Sequence, residues 1–486
     1  MKTSIRAVIL FSIGLVVKNS LTAAQQPPAE MSQEHMHHHG DIQPIVPVYP
    51  RLGRAQENAE GKLFTLEEAQ QLATKSNPTL NQAEAEIRAA KSRRQQSSLY
   101  PNPTLGYTGD EIRGGSINGG KQGFFLQQNI VTAGKLSKSA AVFDQEMRLA
   151  EIEAEEQKLR VQTAVKTAFY RVLAAQELLF ASRDLMQIEQ NYAQVQRELL
   201  NSGQADESEV LEAEVDAQRQ RLSARMQENT LREEWKSLAA VIGQPDLPQS
   251  TVAADLEHGW PEVNEDQIVD LIAAQSPATR IADSAASRAS TEIARAKSQA
   301  IPDLQLRGGL EYNNEPISPT HATGWQGIAE VGVEIPIFNR NQGNVAAASA
   351  DLDRAQLEKQ RVALTLRQRA ATVLDEYANA RLMAVEYRDE ILPRSKKAYA
   401  LLDEKYGLML ASYPRVLQAQ RRLFQLQTEY IAALENVWTT GTALQGFLLT
   451  DGLEAPSRPG EIDRPIRETN LPMPERNAAF DPMPRP

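Results

Sequence analysis

The hydrophobic period of the chain drops from helical to extended spacing twice, and each time returns to helical spacing. From Leu136 to about Leu200 no Pro or Gly intervenes, and Val161, Val165, Ala168, Val172, Ala175 and Leu179 recur in steps of three and four, the spacing of one helix face. At about 1.5 Å per residue this run predicts a rod on the order of 97 Å long. The pattern returns from about Ala346 to Lys405, through Val362, Leu366, Ala370, Val373, Tyr377 and Ala380. Each rod is expected to end in a Gly-marked turn and restart. The first turn is Asn201 to Asp206, with Gly203 in the turn and Asp206 and Glu209 as N-cap and N3. The second runs from Tyr406-Gly407 to Ser412-Tyr413-Pro414, with Ser412 as the cap and Pro414 in the tolerated first turn. Return helices extend to about Ile242 and Leu448.

Before each rod the period drops to two. Leu304, Leu306, Gly308, Leu310 and Tyr312 alternate with Gln305, Arg307, Gly309 and Glu311, and Ala329 to Ile337 alternates in the same way. Weaker counterparts lie at Thr104 to Asp110 and Gly123 to Ile130. Gly- and Asn-containing loops between the members of each pair, Gly114 to Gly120 and Asn313 to Gly324, predict one hairpin per half.

The two halves are a duplication. Thr65 and Glu68 are spaced as a capping box, in which hydroxyl and carboxylate satisfy each other's backbone N–H, and Asn264 to Gln267 is expected to do the same in the second half. Asn77-Pro78 and Ser276-Pro277, and then Pro103 and Pro302, are each 199 positions apart. The predicted order in each half is helix, hairpin, long helix, turn, long helix. We divide the chain into a signal peptide (1–24), a His- and Pro-containing segment (25–62), a first repeat (63–243), a linker (244–262), a second repeat (263–450) and a Pro-rich tail (451–486). The signal rests on Lys2 and Arg6, the apolar stretch Ala7 to Val17, and small residues near Ala24.

Composition narrows the class. The 486 residues contain no cysteine, which removes disulfides, thiolate chemistry and an N-terminal lipidated Cys. No apolar run reaches the roughly 18 residues of a membrane-spanning helix. With a formal net charge of -11 and basic residues dispersed among more numerous acids, the chain lacks the basic stripe of a nucleic-acid binder. No nucleophile, base or paired carboxylates stand at catalytic spacing, and no cofactor is implied; His258 and His321 read as ordinary surface histidines.

Four strands with one apolar face cannot leave their edges in lipid, where every backbone N–H and C=O must be paired within protein. Closed membrane barrels take at least about eight strands, so several copies must build one. Two copies would supply eight strands and three would supply twelve; strand closure alone leaves the number open. The narrow, Ala-rich helix stripes suit side-by-side packing around a lumen. A solid periplasmic coiled coil explains the rods but leaves the hairpins without a role.

The element order, the duplication, and the motifs Tyr100-Pro101-Asn102-Pro103, Gln127-Gln128-Asn129-Ile130 and Ile335-Pro336-Ile337-Phe338-Asn339-Arg340-Asn341-Gln342-Gly343-Asn344 resemble the TolC-type outer membrane efflux family. The resemblance covers roughly residues 63 to 450, and the last motif is similar to the heavy-metal branch, for cobalt-zinc-cadmium or copper-silver. It implies a mainly α fold with a small β part: duplicated helical hairpins form an α-barrel tunnel, and four strands contribute to an oligomeric transmembrane β-barrel. It also implies a homotrimer in outer membrane lipid with a long periplasmic extension, partnered by a periplasmic adaptor and a resistance-nodulation-division (RND) pump of the inner membrane. Gly203, Val210, Leu211, Gly407, Val416 and Leu417 would lie at the periplasmic tip that docks the adaptor. The family often places acids beside the second Val-Leu pair, where this chain has Arg415 and Gln418. A candidate gate therefore draws Asp206, Glu209 and Glu212 from one repeat and Arg415 and Gln418 from the other. Without a lipidation Cys, anchoring is expected to rest on the barrel.

A metal cargo has one further pointer. His35, Met36, His37, His38 and His39 combine imidazoles, which suit copper, zinc, nickel and cobalt, with a thioether that favours Cu(I). Within the same class stands a duct for drugs or type I secretion. From another class stands a periplasmic adaptor, although no lipoyl-like β-domain interrupts a helical hairpin.

Overall fold

The protein is described as a computed structural model over residues 49–53, 62–112, 120–314 and 324–455. The expected signal peptide, the His35–His39 cluster, most of both hairpin loops, His321 and most of the C-terminal tail lie outside the described residues.

Two short helices open each repeat. Helix α1 (Leu66–Ser76) starts at the capping box: Thr65 Oγ1 accepts from Glu68 N–H at 3.3 Å, and the Glu68 carboxylate accepts from Thr65 N–H at 3.5 Å. Helix α2 (Pro78–Ser97) carries Pro in the position where a missing N–H costs nothing, behind the N-cap Asn77. Asn77 is buried; its Oδ1 accepts from Thr79 N–H at 2.9 Å and its amide donates to Val241 O at 2.7 Å. In the second repeat Ser276 is the corresponding buried cap between α5 (Ile268–Gln275) and α6 (Pro277–Gln299), accepting from Thr279 N–H at 3.2 Å. The second capping box does not form. Helix α5 begins only at Ile268, and it is the Asn264 carbonyl that accepts from the N–H groups of Gln267 and Ile268, in a turn ahead of the helix.

The strands β1 (Thr104–Asp110), β2 (Lys121–Ile130), β3 (Leu304–Asn313) and β4 (Gly324–Val333) form one antiparallel sheet in that order, so the hairpins of the two repeats join through β2 and β3. Strand β4 lies earlier than the alternation from Ala329 to Ile337 suggested. Its ladder closes at the pair Val333–Leu304, and Pro336 has no N–H to continue it. Register places Leu105, Tyr107, Phe124, Leu126, Leu306, Leu310, Trp325 and Val331 on one face, and Gln127, Arg307, Glu311 and Glu330 on the other. The apolar face is the exposed one: Leu105 is 74% and Val331 73% accessible. Tyr107 packs edge-on to Phe124 and Tyr312 to Trp325, each pair 5.5 Å between ring centres, near the hairpin-loop end.

Helix α3 (Lys135–Asn201) has 67 residues, about 100 Å at 1.5 Å each, and returns as α4 (Glu207–Ile242). The six residues of its periodic stripe, Val161 to Leu179, are all buried. The second rod is not one helix: α7 (Gln342–Glu386) passes through a π turn at Tyr387–Ile391 into α8 (Leu392–Gly407), and α9 (Tyr413–Gln445) returns. In an ordinary α-turn Pro393 would lack its bond and press its ring on the carbonyl four residues back; the wider turn, with Leu392 N–H bonded to Tyr387 O, takes up the mismatch. Near the sheet, α2, α3, α6 and α7 lie side by side; further away the row is α4, α3, α9 and α8. The described residues of the unit 47–486 thus form a stave, four elements wide along its length.

Residues 244–262 strap the middle of the stave. Trp260 and Trp438 both donate their indole N–H to Leu256 O, at 2.9 and 3.0 Å, and Tyr377 OH donates to Pro261 O at 2.7 Å. Tyr170 stacks on Trp438 with 3.7 Å between ring centres, which joins α3 to α9. Burial raises the Tyr170 phenol to about 12, so it stays neutral in this core.

Asn77→Ala removes a buried cap together with its bond to the end of α4. It is expected to cost about 1–3 kcal/mol and lower the melting temperature of detergent-solubilised protein. An unchanged melting curve would contradict this account of the joint.

Candidate functional site at the helical tips

The two hairpin turns share one backbone geometry. In the first, Gly203 is left-handed (φ 72°), its N–H bonds to Leu200 O at 2.9 Å, and Gln204 N–H reaches back to Leu199 O at 2.8 Å. This is a Schellman closure, which satisfies the last carbonyls of α3. In the second, Met409 N–H bonds to Tyr406 O at 2.8 Å and Leu410 N–H to Lys405 O at 2.7 Å. The left-handed residue is therefore Met409 (φ 58°), not Gly407, which is the last residue of α8. Spacing confirms the equivalence, since Gly203 and Met409, Asp206 and Ser412, Val210 and Val416, and Leu211 and Leu417 are each 206 positions apart. A side chain in the left-handed region carries a steric cost that Gly avoids.

Chemically the tips differ. Ser202, Gly203 and Gln204 of the first are replaced by Leu408, Met409 and Leu410, which are 63%, 94% and 73% accessible. Sequence reading missed this apolar knob because Gly407 looked like the turn residue; the 206-residue spacing of the Val-Leu pairs was the signal that could have found it. The caps differ too. Asp206 Oδ1 accepts from Ser208 N–H at 2.9 Å and Glu209 N–H at 3.2 Å, whereas Ser412 occupies the N-cap without a side-chain cap bond. The Ser208 hydroxyl, then these amides, hold the Asp206 carboxyl below the usual carboxylate range.

Of the residues singled out from sequence, Val210, Val416 and Leu417 are buried. Leu211, Asp206, Glu209, Glu212, Arg415 and Gln418 are exposed, and among the described residues Arg415 makes no ion pair with the three acids. Behind the tip stands a polar clasp. Arg421 of α9 donates through Nε to Glu189 Oε1 of α3 at 2.5 Å and through Nη2 to Asp216 Oδ2 of α4 at 2.9 Å, with a further bond to the second Glu189 oxygen. Glu189 retains only 5% of its side-chain accessibility, and this guanidinium is its paired cation. Tyr413, flanked by Tyr192 and Tyr406 at 5.5 Å each, is raised well above the ordinary phenol value by burial. Among the described residues no group of His, Asp and Glu has metal-site geometry, and His258 is an exposed ring bonded to Asp255 at 2.8 Å.

An inside-out sheet joined to a row of rod-like helices is an architecture suited to a membrane conduit. Residues 69–244 and 268–448 match the outer membrane efflux protein family, to which this chain belongs. It is similar to the cobalt-zinc-cadmium resistance protein CzcC of Cupriavidus metallidurans, 24% identical over 404 residues that cover 83% of this chain and 93% of that protein. It is also similar to the cation efflux system protein CusC of Escherichia coli, 27% identical over 286 residues, 55% of this chain and 58% of CusC. A solved membrane protein from Pseudomonas aeruginosa shares the fold with a TM-score of 0.64 at 17% identity, covering 79% of this chain and 93% of its own. The chain is thus an outer membrane efflux protein of the CzcC and CusC type.

Arg421→Ala strands the Glu189 charge in a nearly buried site. With Arg421 itself about a third exposed, the cost is expected to be about 1–3 kcal/mol. Limited proteolysis should then cut faster between Asn201 and Asp206 and between Leu408 and Ser412; unchanged cleavage would show that the clasp does not hold the tips.

Proposed function

We propose that three copies of this chain close into a twelve-stranded outer membrane barrel continued by a periplasmic helical tunnel, and that this duct, joined to an adaptor and an RND pump, carries heavy-metal cations out of the cell. The observation that carries the reading is the stave itself, with an outward apolar sheet face and an unclosed edge on each side. Further support comes from the outer helices. Leu211, Val215, Leu222 and Met226 on α4, and Leu357, Leu364 and Leu382 on α7, are exposed in steps suited to a second helix, so neighbouring copies would bury them. The tips of α3–α4 and α8–α9 are the proposed adaptor-docking surface. Gly203 lies in the first turn and Gly407 closes α8 ahead of the second, with Val210, Leu211, Val416 and Leu417 in the helices behind and Leu408 to Leu410 as an added apolar contact.

Metal as cargo follows from the likeness to CzcC and CusC, whose names refer to cobalt, zinc, cadmium and cation efflux. The His35–His39 cluster is assigned a metal-collecting role on its ligand chemistry. A strain lacking the protein should lose tolerance selectively across Cu, Ag, Zn, Cd, Co and Ni and regain it on complementation. Sensitivity to detergents and dyes alone would replace the metal reading with that of a drug or secretion duct.

The gate is read as interchain attraction between Arg415 of one tip and Asp206, Glu209 and Glu212 of the next. Exposed pairs are worth under about 1 kcal/mol each, so closure would be shallow and salt-sensitive. Arg415→Ala is expected to raise single-channel conductance; an unchanged conductance removes the gate.

A further inference from the structure

The inward face of the sheet carries one aromatic side chain among its described residues, Phe125, and glycines make room for it. Phe125 pairs with Gly106 on β1 and Gly309 on β3. A Cβ on Gly106 would meet the Phe125 ring at 2.3 Å, so the ring lies flat against the wall. On this ring rests the guanidinium of Arg307, 4.0 Å from the ring centre, the distance of a cation–π contact. Arg307 Nη1 is 3.4 Å from Glu330 Oε2, its directly paired neighbour on β4. Arg307 Nε is buried without a hydrogen-bond partner, so the aromatic stack and the carboxylate hold the side chain instead of a full set of bonds. The pair is unequally presented: the Glu330 side chain keeps 57% of its accessibility and that of Arg307 only 29%.

We propose that Phe125, Arg307 and Glu330 form a charge-selecting ring on the inner wall of the assembled barrel, in which the guanidinium is laid back on the ring and the carboxylate faces the passing ion. The inference rests on the proposed assembly, which repeats the element at one height around the lumen. A ring of free guanidinium groups would repel cations along the axis. Held flat and paired, each Arg307 is offset by a more exposed carboxylate, and the wall is left mildly favourable to small cations. Glu330 thereby acts on the permeating ion, and Phe125 is a positioning residue for Arg307.

The test is the reversal potential of purified full-length protein in planar bilayers under a KCl gradient. Glu330→Gln is expected to shift the permeability ratio toward chloride, and Arg307→Gln toward potassium. Each shift should be about threefold or more at low salt and shrink as salt rises. Arg307→Lys, which keeps the charge, should stay near wild type, and combining Arg307→Gln with Glu330→Gln should return most of the shift. A structural brace alone would move none of these ratios. Channels that conduct with the wild-type reversal potential in both single variants overturn the proposal and leave the assembly standing. A wild-type protein that forms no channels removes the assembly, and the proposal with it.

Discussion

Everything in this molecule follows from unpaired backbone at the two edges of a sheet whose exposed face is apolar. Among the described residues, strands β1 and β4 each have a sheet neighbour on one side only, beside a face carrying Leu105, Tyr107, Phe124, Leu310, Trp325 and Val331. In water the apolar face is unfavourable, and in lipid the open edges are. Closure against further strands resolves both, which is the physical ground of the assembly proposed above. The helices repeat the problem, with α4 at one side of the row and α7 and α8 at the other showing apolar side chains to solvent.

Between these edges the chain is well packed, and duplication explains how. Each repeat supplies a hairpin and a helical pair, but neither closes a core alone. Helix α3 is buried most deeply because it lies between elements of both repeats throughout its length, with α2 and α4 on one side and α6 and α9 on the other. The strap at residues 244–262 then fixes the middle, where Tyr170, Trp438 and Trp260 meet. Polar joints are concentrated where helices change direction, as at Asn77, Ser276 and the Arg421 clasp. A backbone carbonyl or carboxylate there would otherwise be buried without a partner.

Duplication also provides a frame within which the repeats diverge. The two tips keep the same closing bonds while one is polar and acidic and the other apolar. The backbone requirement, one left-handed residue, is met by Gly203 without strain and by Met409 at some cost.

By itself the amino-acid sequence determined the periods, and with them the strands, the rods and the 199-residue repeat. These are local properties, set by which side chains share a face and where Pro and Gly interrupt. The turn at Gly407, the extent of β4 and the continuity of the second rod were misread for one reason. Each depends on where a hydrogen bond goes, to Lys405 O, to Leu304 or to Tyr387 O, and a hydrophobic pattern does not carry that information. Which side of the sheet faces outward, the Phe125–Arg307–Glu330 contact and the Arg421 clasp were decided only by tertiary structure. They join residues from different elements, many of them distant in the chain, and a charge or a ring acquires its energy from the group that packing sets against it.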